Sequence, residues 1–199
     1  MYWLTDSLAR LDLGGKGRAG RVLRWWAMCL LAFFLTGYLL ALWERAIPFG
    51  LTYVATESIP TGIYFSRRYD GSPLSAEAAA CFERPYVAWA QGRPYARDDL
   101  PLCKLVLGVP GDKVIQRHRD VLICRPNGSC ISAGEVLDTD SQGQPLKRWA
   151  PAGQEYVLGP GQYWMGGPHP RSFDSRYLGP ISSPLLIKRI TPLWTKPLT

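Results

Sequence analysis

Between Trp25 and Trp43 the chain reads WWAMCLLAFFLTGYLLALW, without one charged residue. No other stretch constrains the fold as strongly. As a helix this run would be roughly 28 Å long, about the thickness of a bilayer's hydrocarbon core. Trp25, Trp26 and Trp43 mark its two ends, as aromatics do at membrane interfaces. A cleaved signal peptide is the competing reading. The run is long for that purpose, and no small-x-small site precedes Glu44 and Arg45. Arg10, Lys16, Arg18, Arg21 and Arg24 face only Asp6 and Asp12 in the segment before it. That bias keeps the N-terminus in the cytoplasm. The sequence therefore predicts a basic cytoplasmic segment over 1–24, an uncleaved signal anchor over 25–43 and an exported domain over 44–199.

The chain has 199 residues and a net charge of +7, with a pI near 9.3. The excess charge clusters before the span. No basic stripe interleaved with aromatics follows, so the partner it suggests is a lipid bilayer and not nucleic acid. Cysteine usage agrees with export. Cys29 lies in the span, and Cys81, Cys103, Cys124 and Cys130 lie beyond it, an even number where disulfides persist. CRPNGSC sets Cys124 and Cys130 astride an Asn-Gly turn, which predicts a hairpin staple. Cys81 with Cys103 follows by elimination. No CxxC pair or His cluster has metal-ligand spacing, so neither metal nor cofactor is expected.

Beyond the span, short apolar runs are broken by Gly, Pro and Asn. LTYVAT, TGIYF, CKLVLGV, KVIQR, DVLIC, EYVLG, QYWMGG and PLLIKRI read as strands. Residues 76–82 suit a helix or a strand. Asp98 to Leu100 reads as a turn before Pro101, and 139–151 as a surface loop. The expected fold is mostly β, one exported domain tethered by one N-terminal helix.

Within TESIPTGIYF, Pro60 fixes its own φ and keeps Ile59 out of the helical region, while Gly62 permits unusual backbone. Ser58 thus sits on a stiff, exposed elbow. A nucleophilic Ser needs a base. The two histidines are unpromising: His118 lies among charges in QRHRD, and His169 in a Pro-flanked loop. No G-x-S-x-G elbow is present. Lysine serves as a base once desolvation draws its pKa down from about 10.4. Lys104 meets that requirement in KLVLGVPGDKV, as a lone cation leading an apolar strand.

The elements SIPTGIY, KLVLGVPGDKV and SFDSRYLGPI follow the span in this order. Together they resemble the membrane-bound signal peptidase I (leader peptidase) superfamily of Ser/Lys proteases. The S-x-P-x-G spacing, single span and short chain look most like the conjugative-transfer branch, the TraF-type peptidases that mature pilin precursors. The resemblance covers most of 52–190. It implies a signal-peptidase-like, β-rich catalytic domain on the periplasmic side of the inner membrane, crossed once. It implies Ser58 as nucleophile, Lys104 as general base and Thr56 as support for the oxyanion hole. Ser172 and Asp174 would orient the lysine, and Arg176 would pair with Asp174. Gly108, Pro110, Gly111 and Asp112 would form the turn that places the lysine strand. The implied partners are precursor proteins such as a pilin, cut beside small residues. A general signal peptidase and a non-catalytic pilus or secretion assembly factor are the alternatives. The chain departs from the housekeeping pattern twice. Glu57 adjoins the nucleophile and is expected to point away, since a carboxylate would raise the lysine's pKa. GGPHPRSFDSRY also opens Pro-rich where those enzymes carry a Gly-Asp-Asn type of turn. About fifteen residues separate Trp43 from Ser58, which holds the site within about 50 Å of the membrane surface.

Overall fold

A computed structural model of the chain describes residues 18–97 and 100–196. Arg10 and Lys16 of the basic segment, and Asp98 and Asp99 of the expected turn, lie outside the described residues. The chain divides after Pro48 into a helical unit and a β-rich unit. Helix α1, Arg18–Ala46, starts earlier than the apolar run, so Arg18, Arg21 and Arg24 fall within its first turns. Its stretch Gly20–Leu42 is long and apolar enough to cross a membrane, and its apolar side chains are exposed.

The β-rich unit opens with a hairpin of β1, Phe49–Val54, and β2, Gly62–Arg68. Val54 pairs with Gly62, so residues 55–61 form the connecting loop, and Ser58 lies at its centre. Residues 76–82, left between helix and strand by composition, resolve into the short strand β3, Ala79–Phe82, with all four residues buried. β4, Leu102–Gly108, carries Lys104. β5, Lys113–Arg117, β6, Asp120–Cys124, and β7, Cys130–Glu135, form a meander joined by tight turns. β8, Glu155–Val157, β9, Gln162–Gly166, and β10, Ile181–Ser182, are short. β11, Leu186–Thr195, is longer than its apolar core suggested, running past Pro192 through a bulge. A single-turn helix α2, Ser175–Leu178, precedes β10.

The strands make two sheets, one in the order β1-β2-β11-β3-β4-β9-β10 and one in the order β7-β6-β5-β8. Between them lies the main core, which includes Phe82, Val106, Val121, Ile123, Leu158, Trp164 and Ile181. A Cβ at Gly108 would stand 3.0 Å from Trp164 Cβ and 2.9 Å from Leu158. Glycine there lets the largest buried side chain close on the lysine strand. A smaller cluster of Val54, Ile59, Tyr64, Cys81 and Ile190 packs beneath the Ser58 loop.

Gly62 has φ +150°, and a Cβ on it would lie 2.2 Å from the Trp194 carbonyl oxygen. The glycine allows β2 to meet the end of β11, where Gly62 pairs with Thr195. The second strand of the opening hairpin is thereby joined to β11.

Both expected disulfides are present. Cys124–Cys130 closes the hairpin whose turn carries Gly128 at φ +87°. Cys81–Cys103 spans directly opposed positions of β3 and β4, beside the Ala80–Lys104 pair. A peptide map of unreduced protein should recover these two links and leave Cys29 to react with an alkylating agent. Replacing Cys81 and Cys103 together by Ser should cost about 3 kcal/mol of stability, the amount expected for a closed loop of this size, measured by denaturant unfolding.

Candidate active site

Ile59 is fully buried in the cluster under the hairpin, and the Tyr64 hydroxyl donates to the Pro60 carbonyl at 2.6 Å. These contacts pin the loop on both sides of its proline and leave the preceding Ser58 half-buried at the surface. Glycine completes the support. A Cβ on Gly167 would stand 2.1 Å from the Ser58 carbonyl oxygen and 3.1 Å from Ser172 Oγ. Only a residue without a side chain lets the segment after β9 come this close. The Gly166-Gly167 pair was the signal for it, since glycine at a strand end marks close approach of backbones.

Lys104 lies on the same face of β4 as Val106 and is 3% exposed. Its Nζ donates to Ser58 Oγ at 2.5 Å and to Ser172 Oγ at 2.9 Å. Burial draws its pKa down to about 8. The Asp174 charge works against that shift, and the Arg176 charge works with it. The turn behind the strand is ordered as its residues suggested. Asp112 accepts from Val109 N at 2.8 Å and pairs with Arg125, which also donates to the Leu107 carbonyl at 3.1 Å.

Asp174 is fully buried and caps α2, accepting from the Arg176 backbone N–H at 3.1 Å. The Arg176 guanidinium holds both carboxylate oxygens, Nε to Oδ1 and Nη2 to Oδ2, each at 2.9 Å. It also donates to the carbonyls of Glu135 at 2.8 Å and Ser172 at 3.0 Å. A buried ion pair survives only when its remaining donors are satisfied in this way. The network fastens the loop bearing Ser172 to β7, a strand the sequence pattern did not announce. Ser175 adds a tie to β9 by accepting from Met165 N at 2.9 Å.

Glu57 points outward, its side chain 74% exposed and 3.5 Å from His169 Nε2. His169 also accepts from the Arg171 backbone N–H through Nδ1 at 3.1 Å. Its ring therefore turns to Glu57 and its own loop. His118 sits in the β5–β6 turn at φ +40°. Thr56 is exposed and lines, with Ser58 and Lys104, a cleft of about 250 Å³. Tyr95, Arg171 and Phe173 also line it, and none of the three was marked by sequence reasoning.

The site thus sets a hydroxyl and a desolvated amine within proton-transfer distance at the floor of an open cleft. Residues 28–194 match the family of signal peptidases, peptidase S26. The chain belongs to the signal peptidase family. Among its relatives, the conjugal transfer protein TraF of Agrobacterium fabrum is 34% identical over 114 residues, 54% of this chain and 59% of that protein. The chain therefore spans less than two thirds of that relative's length. The plasmid transfer protein TraF of Escherichia coli is 30% identical over 150 residues, 70% of this chain and 80% of that protein. The mostly β fold with one membrane-compatible N-terminal helix is the fold class that the sequence implied.

The neutral lysine is the form able to take a proton, so cleavage should rise with pH and level off above about 8, read as kcat/KM against pH. The same burial makes a stability prediction. Below pH 8 the folded protein holds a charge that the unfolded chain hydrates freely, at a cost of about 3 kcal/mol for a shift of this size. The cost fades as pH rises from about 8 to the ordinary lysine value, above which both states are neutral. Lys104→Met should therefore raise the thermal midpoint at pH 7 by several degrees, lose that advantage near pH 11, and cut no substrate. Gly167→Ala should keep the fold and displace Ser58. Its kcat/KM should fall about 100-fold, the penalty for misplacing a reacting group by roughly 1 Å.

Proposed function

We propose that this protein is a membrane-anchored serine endopeptidase of conjugative transfer, in which Ser58 and Lys104 form the catalytic dyad. The observation that carries the reading is the 2.5 Å contact between Ser58 Oγ and a buried Lys104 Nζ. It occurs in a chain of the signal peptidase family whose relatives include conjugal and plasmid transfer proteins.

The chemistry follows from the geometry. Neutral Lys104 takes the Ser58 proton as Oγ attacks the scissile carbonyl, and the resulting ammonium hands it to the leaving amine. Water then attacks the acyl-enzyme as Lys104 takes its proton, the ammonium returns that proton to Ser58 Oγ, and the N-terminal fragment leaves with a new carboxylate. Ser172 holds the second donor position of Nζ and so aims its lone pair at Ser58. Asp174, bound on both oxygens by Arg176, is a positioning residue for that loop. Thr56 lines the same cleft, and in this reading it supports donors to the developing oxyanion, each worth roughly 3 kcal/mol of barrier.

The substrate is an exported precursor such as a pilin, cut beside small residues and bound in extended form along the cleft. The N-terminal segment 1–24 lies in the cytoplasm, the span crosses the inner membrane once, and the domain from residue 44 works in the periplasm. The basic side chains before the span and the two disulfides after it support this orientation.

Co-expression with a pilin precursor, beside Ser58→Ala and Lys104→Ala versions, tests the reading through the precursor's mass. The wild type should shorten it and both variants should leave it full length. Cleavage of unrelated preproteins would move the assignment to a general signal peptidase. Cleavage that persists in Lys104→Ala would refute the dyad, and an unprocessed precursor with intact preproteins would favour an assembly factor.

A further inference from the structure

The cleft at the dyad has a neighbour. Tyr95, Arg171 and Phe173 line the catalytic cleft and also a second cavity of about 210 Å³. The other apolar walls of that cavity are Leu137, Leu146 and Tyr177. We propose that it is a substrate subsite that takes one large apolar side chain, aromatic or leucine-sized, from the same peptide whose scissile bond lies at Ser58. The proposal rests on the peptidase reading above and adds a specificity element to it.

Size and lining point to a single side chain. Sites for whole small molecules begin at roughly 300 Å³, and this cavity is smaller. Its one carboxylate, Asp140, is already engaged. Oδ1 accepts from the backbone N–H groups of Gln142 and Gln144, each at 2.9 Å, and Oδ2 accepts from the Tyr95 hydroxyl at 3.0 Å. Arg93 donates to that hydroxyl at 2.7 Å and lies over the Trp89 ring at 4.9 Å. What remains for an occupant is mainly ring and aliphatic surface.

The walls are also held before any substrate arrives. Phe173 packs against Tyr95 at 5.1 Å between ring centroids and against Tyr177 at 6.0 Å. The Tyr177 hydroxyl accepts from Leu137 N at 2.9 Å, which fixes the far wall. A preformed apolar recess gains affinity because little must be ordered on binding. Phe173 adds a link to the chemistry, since it stands between Ser172, which touches Lys104, and Asp174. An occupant pressing on its ring lies one residue from the lysine's support.

The occupant is argued from continuity. Tyr95, Arg171 and Phe173 form a wall common to both spaces, so a peptide in the catalytic cleft passes the mouth of the second. Small residues suit the scissile position, and a large one a short distance along the chain would then set the register of cutting.

The test digests a random-sequence decapeptide library with the full-length protein in detergent micelles and reads the cut sites by mass spectrometry. Wild type is compared with Leu146→Trp, which fills the cavity, and with Ser141→Trp, which blocks it from an exposed turn and leaves the core alone. Wild-type cuts should show one position, fixed relative to the scissile bond, enriched in Phe, Tyr, Leu or Met. Both variants should lose that enrichment by at least 10-fold, in the range a hydrophobic pocket supplies, and should cut peptides with Ala at that position at the wild-type rate. Cuts without such enrichment, or an enrichment that either folded variant retains, overturn the subsite and leave the peptidase standing. A wild type that cuts nothing overturns the peptidase reading and the subsite with it.

Discussion

The removal of one ammonium group from water governs the design of this molecule. A hydrated lysine near its ordinary pKa of about 10.4 would hold its proton at neutral pH and could not accept another. Lys104 escapes that condition because a strand of the large sheet carries it into the interior. The surroundings then have to tolerate a charge whenever it is present. Two serine hydroxyls meet Nζ, and the nearby Asp174 carboxylate is bound on both oxygens by Arg176. Desolvation is the largest influence and outweighs the Asp174 charge, the Arg176 charge works in the same direction as burial, and the group titrates near 8.

The parts of the site come from distant segments, and each is held by a different device. The proline and a buried isoleucine stiffen the serine loop. Strand pairing and a cross-strand disulfide fix the lysine. A salt bridge ringed by carbonyls holds the last loop, and a glycine lets that loop touch the first. None of these devices reaches the reacting atoms, yet each sets a coordinate of the dyad. Chemistry by positioned groups tolerates little error, so these supports would bear on any reaction at Ser58 as much as the contact with Lys104 does.

Much of this was legible in the chain itself. The uncharged run, the period-two patterns of KVIQR and DVLIC, and the Asn-Gly turn between Cys124 and Cys130 are local signals, and local signals survive in a linear text. Ser58 and Lys104 could be paired because three motifs in order resemble one family. The unread parts are long-range. Nothing in CISAGE has the alternation of a strand, since β7 exposes most of its residues, so its hold on Arg176 through the Glu135 carbonyl had no local mark. Tyr95 and Phe173 lie far apart in the chain and meet only when the aromatic cluster folds. Glu57 was expected to point away from the lysine and does, and its partner there, His169, comes from a distant loop that no local signal connects to it.

The strand order has a consequence in time. The serine hairpin and the lysine strand are not neighbours in the sheet: β11, the last strand of the chain, lies between β2 and β3. A chain made from its N-terminus delivers that strand last, at about 5–20 residues per second. Until it arrives, the segment bearing Ser58 has no sheet linking it to the segment bearing Lys104. The contact between the Ser58 hydroxyl and the Lys104 amine is therefore a late product of folding, because the sheet that joins their two segments is continuous only once β11 is in place.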